Sequence, residues 1–187
     1  MIEIRMLGRG GQGAYVSAEM LAAAFVRAGK YATAFPMFGG ERRGAPVNVF
    51  VRFDDKPIRL RSQIYYPDCC IVTDPVLART PDALKGLKPG GLVVMNLPKT
   101  PETKPHENTG VMAVVDATGI ALQETGRPIT NTVMLGALIH ATGWVELESI
   151  CEAFKGYFSD RVLDSNIRCA RRGKEESQVI RFSAEDK

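Results

Sequence analysis

Four glycines fall within six positions at GRGGQG, residues 8–13. They follow the strand-like MIEIRML and lead into an alanine-rich stretch with helical spacing. Gly8, Gly10 and Gly13 satisfy G-x-G-x-x-G in the strand-to-helix context that gives the pattern meaning. Glycine lets backbone approach a ligand, and the free N–H groups of a helix start favour an anion. Gly8, Arg9, Gly10, Gly11, Gln12 and Gly13 are therefore candidate cofactor-binding residues. Three readings stay open: tight strand-to-helix packing, a phosphate or pyrophosphate cradle, and a nicotinamide dinucleotide site. The last needs an acid about 20 residues on, after the second strand, to hold a ribose. That strand ends at Phe35, Pro36 and Met37, and the first acid beyond it is Glu41, flanked by Gly40 and two arginines. Glu41 is better suited to pairing with Arg42 or Arg43 than to gripping a sugar. No G-x-x-x-x-G-K-[ST] is present, so a nucleoside-triphosphatase site has no support.

Arg42 and Arg43, in the loop PMFGGERRGAP, are the second chemical feature. Planar guanidinium forks match phosphate oxygens, and equally the carboxylates of a partner chain. Asn131 and Thr132 open a later helix and read as capping or ligand-contact residues. Cys69, Cys70, Cys151 and Cys169 have neither C-x-x-C spacing nor paired histidines nearby, so no zinc or iron–sulfur centre is expected on this chain alone. His140 reads as a packed or half-exposed helix residue and His106 as part of a solvated loop. Met37 and Phe38 read as packing or interface residues, Arg59 and Arg61 as a solvated or partner-facing edge.

These residues need elements to position them. Residues 2–7 read as a strand, 13–29 as a helix stopped by Gly29, and YATAF as a second strand halted by Pro36. Val47, Val49, Val51 and Phe53 alternate with Asn48, Phe50 and Arg52, and the alternation resumes at Ile58 and Leu60 after Asp54–Pro57, which predicts a hairpin over 47–62. CCIVTD, GLVVMNL and VMAVVDA are short apolar runs suited to strands buried on both faces. A short helix is expected around PDALKGL. TNTVMLGALIHATG predicts a helix capped by Thr130 or Asn131 and ended by Gly143, LESICEAFKGYF another, and a last short one runs from about Ser165 into RRGKEES, after which the chain frays. The expected fold is α/β, a three-layer α/β/α domain with a mixed, mostly parallel sheet including a β-hairpin, over residues 1–176 with a tail at 177–187.

Length and charge agree with one core. A chain of 187 residues buries about 70% of its unfolded surface. Its 45% hydrophobic and 24% charged residues are those of an ordinary globular domain. Residues 1–61 hold 10 Lys/Arg against 5 Asp/Glu, leaving 14 against 16 afterwards, so the net charge of +3 conceals a basic first third. No signal peptide is read, and the longest weakly polar run, Ala14–Val26, is too short to span a bilayer. A cytoplasmic location, with no membrane or nucleic-acid partner, is expected.

Taken together, GRGGQG, FPMFGGERRGAPVNVFVR, KPIRLRSQIYYPD and NTVMLGAL give the chain a specific resemblance. From its first residue to about Glu176 it resembles the gamma subunits of the pyruvate:ferredoxin oxidoreductase family. The resemblance implies a complex that oxidatively decarboxylates a 2-oxoacid, transfers the acyl group to coenzyme A and passes two electrons to ferredoxin or a similar acceptor. It implies that thiamine diphosphate, magnesium and the iron–sulfur clusters reside on partner alpha, beta and ferredoxin-like delta subunits. The absence of a G-D-G stretch with a following asparagine, the thiamine motif, agrees. Coenzyme A carries a pyrophosphate and a ribose phosphate, which Gly8–Gly13, Arg42 and Arg43 are chemically suited to receive, so it is a possible shared ligand. The resemblance leans towards pyruvate, branched-chain or aromatic 2-oxoacids and leaves the choice among them open.

Overall fold

The computed structural model describes residues 1–37 and 44–183. Strand β1 (Ile2–Arg9) is followed by helix α1 (Ala14–Arg27), β2 (Tyr31–Pro36), β3 (Pro46–Asp54) and β4 (Cys69–Val72). Two short 3-10 turns, Leu77–Arg79 and Pro81–Leu84, lead to β5 (Gly91–Asn96) and β6 (Thr109–Val115). Helices α2 (Ala117–Thr125), α3 (Asn131–Thr142), α4 (Leu147–Phe154) and α5 (Asp160–Glu176) come next, before β7 (Gln178–Arg181).

All seven strands join one mixed sheet in the order β2-β3-β1-β4-β5-β6-β7. The central strands β1, β4, β5 and β6 run parallel, while β2–β3, β3–β1 and β6–β7 are antiparallel. Every residue of β4 and β5 is buried, as expected for parallel strands covered on both faces. All five helices lie on one face, where Ile4, Met6, Val51, Ile71 and Val94 pack against Leu21, Phe25, Leu135 and Phe154. The other layer is thinner: Leu7, Cys70, Val72, Val93 and Met95 are covered by Leu77 and Leu84 of the 3-10 turns and by Leu87 just after them.

Helix α3 is apolar almost all round and forms the middle of the helical layer, with only His140 exposed. It crosses α5 at Gly136 and Gly173. A Cβ at Gly136 would lie 1.9 Å from the Ala170 carbonyl oxygen, and one at Gly173 would lie 2.1 Å from that of Val133. Gly143 ends α3 in the left-handed conformation expected of it.

Four expectations need correction. The hairpin is β2–β3, not residues 47–62, because β3 already has β2 on one edge and β1 on the other and no edge is left for Ile58–Arg61. Helix α2 was not anticipated; its moment is blurred by Gly119, yet Asp116 caps it by accepting the Gly119 N–H at 2.9 Å. Helix α5 begins at Asp160, five residues before Ser165, because Ser159 takes the extended cap conformation. The chain does not fray after α5: Gln178–Arg181 pairs with Val111–Val114, so part of the expected tail is the seventh strand.

The segment that fails to form a strand is held instead by Arg52. This side chain is 1% exposed on the face opposite the helices. Its Nε lies 2.9 Å from Glu3 Oε1, Nη1 donates to the Ser62 carbonyl at 2.8 Å, Nη2 reaches that of Gln63 at 3.5 Å, and the guanidinium sits 5.4 Å from the centre of the Phe35 ring. Replacing Arg52 with Met is expected to destabilise the chain by about 3 kcal/mol, since two carbonyls lose their donor and Glu3 keeps only Lys88, at 3.7 Å. Arg52→Lys should recover only part of this, because an ammonium cannot span the same fork. Urea unfolding checks it, and a change below about 0.5 kcal/mol for Arg52→Met would contradict it.

Candidate functional site

The glycine turn lies at the carboxyl ends of the parallel strands, where open α/β sheets collect ligands. Gly8 closes β1 against β4, and a Cβ there would meet Thr73 Oγ1 at 2.4 Å. Beyond it the Gly10 N–H donates to the Ala45 carbonyl at 2.9 Å, and the Gly44 N–H donates to the Gly10 carbonyl at 3.2 Å. The turn is thereby tied to the start of β3. Gly13, with φ 76°, is the residue before α1, and no side chain caps that helix start. A Cβ on Gly13 would come 2.8 Å from Asn131 Nδ2, so the first residue of α3 abuts the turn.

One carboxylate organises the turn. Asp74 Oδ2 accepts Arg9 Nε at 3.0 Å and Gln12 Nε2 at 3.1 Å, while Oδ1 accepts the N–H groups of Val76 and Leu77, each at 3.0 Å. Gln12 Oε1 in turn accepts the Arg9 N–H at 3.0 Å, and Arg9 Nη1 donates to the Gly44 carbonyl at 3.0 Å. Burial pushes the Asp74 carboxyl up, but the Leu77 N–H, the Gln12 amide and the Arg9 guanidinium outweigh it and hold the group below the usual carboxylate range.

Beside the turn opens a cleft of about 300 Å³ lined by Gly11, Gln12, Thr73, Asn96, Thr118 and Thr130. Asn96 Nδ2 donates to the Thr73 carbonyl at 2.8 Å and to Thr118 Oγ1 at 2.9 Å. Thr130 Oγ1 reaches the same carbonyl at 3.4 Å. A larger groove of about 710 Å³ runs between α2 and α5 and shares Ile129 with the cleft. It lies away from the strand ends and the glycine turn, so the smaller cleft is the better candidate site.

Of the residues expected from sequence, Gly8, Arg9, Gly10, Gly11, Gln12, Gly13 and Asn131 converge here. Thr132 does not: it is fully buried and its hydroxyl donates to Asn166 Oδ1 on α5 at 3.2 Å. Arg42 and Arg43 lie outside the described residues. Thr73, Asp74, Asn96 and Thr118 were missed, although each is a polar residue within three positions of the end of an apolar run, a signal that marks the carboxyl edge of a sheet. Arg9 is engaged by Asp74, so the cleft has no uncommitted cation among its described lining residues.

The nicotinamide reading loses its frame as well. A dinucleotide fold needs the second strand parallel and adjacent to the first, and here β2 is an edge strand antiparallel to β3. The cysteines offer no thiolate: burial pushes the Cys70 thiol to about 11 against the opposing pull of the Arg5 guanidinium, and Cys69 is raised by burial as well. Among the described residues no group of three or more His, Cys, Asp or Glu side chains is placed to hold a metal ion, and no helix is long and apolar enough to cross a membrane.

Residues 3–176 match the family described as pyruvate ferredoxin/flavodoxin oxidoreductase. The chain belongs to this family. It is 54% identical over 173 residues to the "Pyruvate/ketoisovalerate oxidoreductases common subunit gamma" of Thermococcus kodakarensis, covering 91% of this chain and 94% of that one. It is 47% identical over 186 residues to the "Pyruvate synthase subunit PorC" of Methanothermobacter thermautotrophicus, covering 98% and 99%. The crystal structure of the pyruvate oxidoreductase subunit PORC from Thermotoga maritima superimposes with a TM-score of 0.83 at 43% identity, over 95% of this chain and 97% of that one. Within the family the chain is thus a gamma-type subunit of an oxidoreductase, matched along nearly its whole length.

The lowered Asp74 value carries a pH prediction. Its stabilising contribution is complete above the unfolded carboxyl value of about 3.9 and is lost as pH falls through the lower folded value. Asp74→Asn is therefore expected to cost about 1.5–3 kcal/mol at neutral pH and to leave a shallower loss of stability in acid. Urea midpoints across the acid range check this, and parallel pH profiles for the two proteins would contradict it.

Proposed function

We propose that this chain is the gamma subunit of a thiamine-diphosphate and iron–sulfur dependent 2-oxoacid:ferredoxin (acceptor) oxidoreductase complex. The complex converts a 2-oxoacid and coenzyme A to acyl-CoA and CO2 and passes two electrons to ferredoxin or a similar acceptor. The names borne by the relatives, pyruvate/ketoisovalerate oxidoreductase and pyruvate synthase, favour pyruvate among the 2-oxoacids. Thiamine diphosphate, magnesium and the clusters belong to alpha, beta and ferredoxin-like delta partners, and the assembly works in the cytoplasm. The chain alone has no 2-oxoacid oxidation.

Its own part is structural, with one ligand-facing edge: the glycine-turn cleft helps dock coenzyme A. The observation that carries this reading is the uncapped start of α1 beside a polar cleft at the strand ends. Free N–H groups there and the helix dipole suit a pyrophosphate. A Cβ at Gly11 would meet nothing within 4 Å, so a ligand can approach the backbone closely at that point. Arg9 is committed to Asp74, so this reading assigns the phosphate-binding cations to Arg42 and Arg43; in sequence Arg43 precedes Gly44, whose N–H is bonded to Gly10 in the turn.

The test is the coenzyme A Michaelis constant of the assembled complex. Arg42→Ala or Arg43→Ala should raise it about 10- to 100-fold by removing a charge-assisted hydrogen bond, with lysine restoring only part. Reduction of an artificial acceptor by the 2-oxoacid without coenzyme A should change little. An intact complex with an unchanged constant in both variants would remove these arginines from the site. Parallel loss of both half-reactions with loss of assembly would instead make them interface residues.

A further inference from the structure

The segment between β3 and β4 has no regular structure, yet it is fixed at several points. Arg52 holds the carbonyls of Ser62 and Gln63, and Ile64 is buried. Gly86, with φ 77°, lets the following turn press against the segment, since a Cβ there would lie 2.2 Å from the Tyr65 carbonyl oxygen. The Lys88 N–H donates to the Pro67 carbonyl at 3.0 Å. These anchors are internal, and what they present outward is apolar and cationic: Leu60 is 51% exposed, Tyr65 67% and Tyr66 69%. Lys56, Arg59 and Arg61 are exposed in the same segment, and none forms an ion pair among the described residues. Residues 56–66 contain no acid.

We infer that this rigid Leu60–Tyr65–Tyr66 patch, rimmed by Lys56, Arg59 and Arg61, docks the chain onto an acid-rimmed apolar surface of another subunit of its complex. The inference rests on the gamma-subunit reading and adds where the contact is made. Tyrosine and arginine are the side chains that concentrate binding energy in protein interfaces. A segment already ordered by Arg52 and Gly86 loses little conformational freedom when it binds. Three cations with no ion pair among the described residues and no acid between them in sequence call for carboxylates on the partner. The patch sits beside the Arg52–Glu3 pair near the start of β1, whereas the cleft lies at its far end. Docking here therefore leaves the cleft open.

The experiment is reconstitution of the full complex from the partner subunits with purified gamma chain, read as a dissociation constant and as native mass. Tyr65→Ser/Tyr66→Ser and Arg59→Glu/Arg61→Glu are expected to weaken entry about 30-fold or more. The wild-type constant should rise with salt. Leu122→Ser, at an exposed apolar position on α2 away from this segment, should change neither. These side chains are exposed, so circular dichroism and melting of the double variants should match the parent. Both variants entering with wild-type affinity would overturn this inference alone. A wild-type chain that enters no complex would overturn the subunit reading and this inference with it. Retention of nucleic acid that Arg59→Glu/Arg61→Glu abolishes, with assembly unaffected, would overturn the protein-partner assignment.

Discussion

The Asp74 carboxylate is the constraint on which the candidate site depends. Two of its bonds reach back into the glycine turn through Arg9 and Gln12, and two hold the amides that begin the covering turn after β4. A glycine-rich connection has little intrinsic order, because glycine loses more backbone entropy on folding than any other residue. The loop is kept in shape by one buried negative charge with its hydrogen bonds satisfied. The consequence for function is direct: Arg9, in sequence the most obvious cation of the motif, is used internally. What the turn can offer a ligand is backbone N–H groups and shape.

At the opposite end of β1 the charges are reversed. There a buried cation, Arg52, organises an irregular segment through Glu3 and two carbonyls. The sheet thus carries an ordered loop at each end of its first strand, one shaped around Asp74 and one around Arg52. Between them lie the parallel strands β1, half-buried, and β4, buried throughout, with the helical layer on one side. On the proposed reading, this separation keeps the edge assigned to the ligand and the edge assigned to the partner from competing.

Much of this was legible in the sequence, for identifiable reasons. The apolar runs CCIVTD, GLVVMNL and VMAVVDA have few alternatives to buried strands, α1 carries plain helical spacing with a glycine stop, and α3 is marked by its cap residues and Gly143. Illegible were features set by tertiary competition. The alternation of Ile58 and Leu60 is real, but β3 had already taken both neighbours, and a buried Arg52 is invisible to a pattern that counts it as polar and outward. β7 was missed because its alternation spans only Gln178–Arg181 and its partner, β6, lies far back in the chain. In the site, the motif residues Gly8–Gly13 were found by spacing. Asp74, Asn96 and Thr118 come from the turn after β4, the end of β5 and the start of α2, and reach one edge of the sheet only once it is assembled, and Thr132 was misplaced because adjacent helical residues face different neighbours.

The central functional claim is that the cleft at the carboxyl ends of β1, β4 and β5 receives the anionic part of coenzyme A. Amide hydrogen exchange of the assembled complex, with and without coenzyme A, tests it most directly. The account predicts slower exchange on binding at Gly11–Tyr15, at the start of α1, with no change at residues 57–66. Protection confined to the partner subunits, or absent from the glycine turn while other parts of this chain respond, would contradict it.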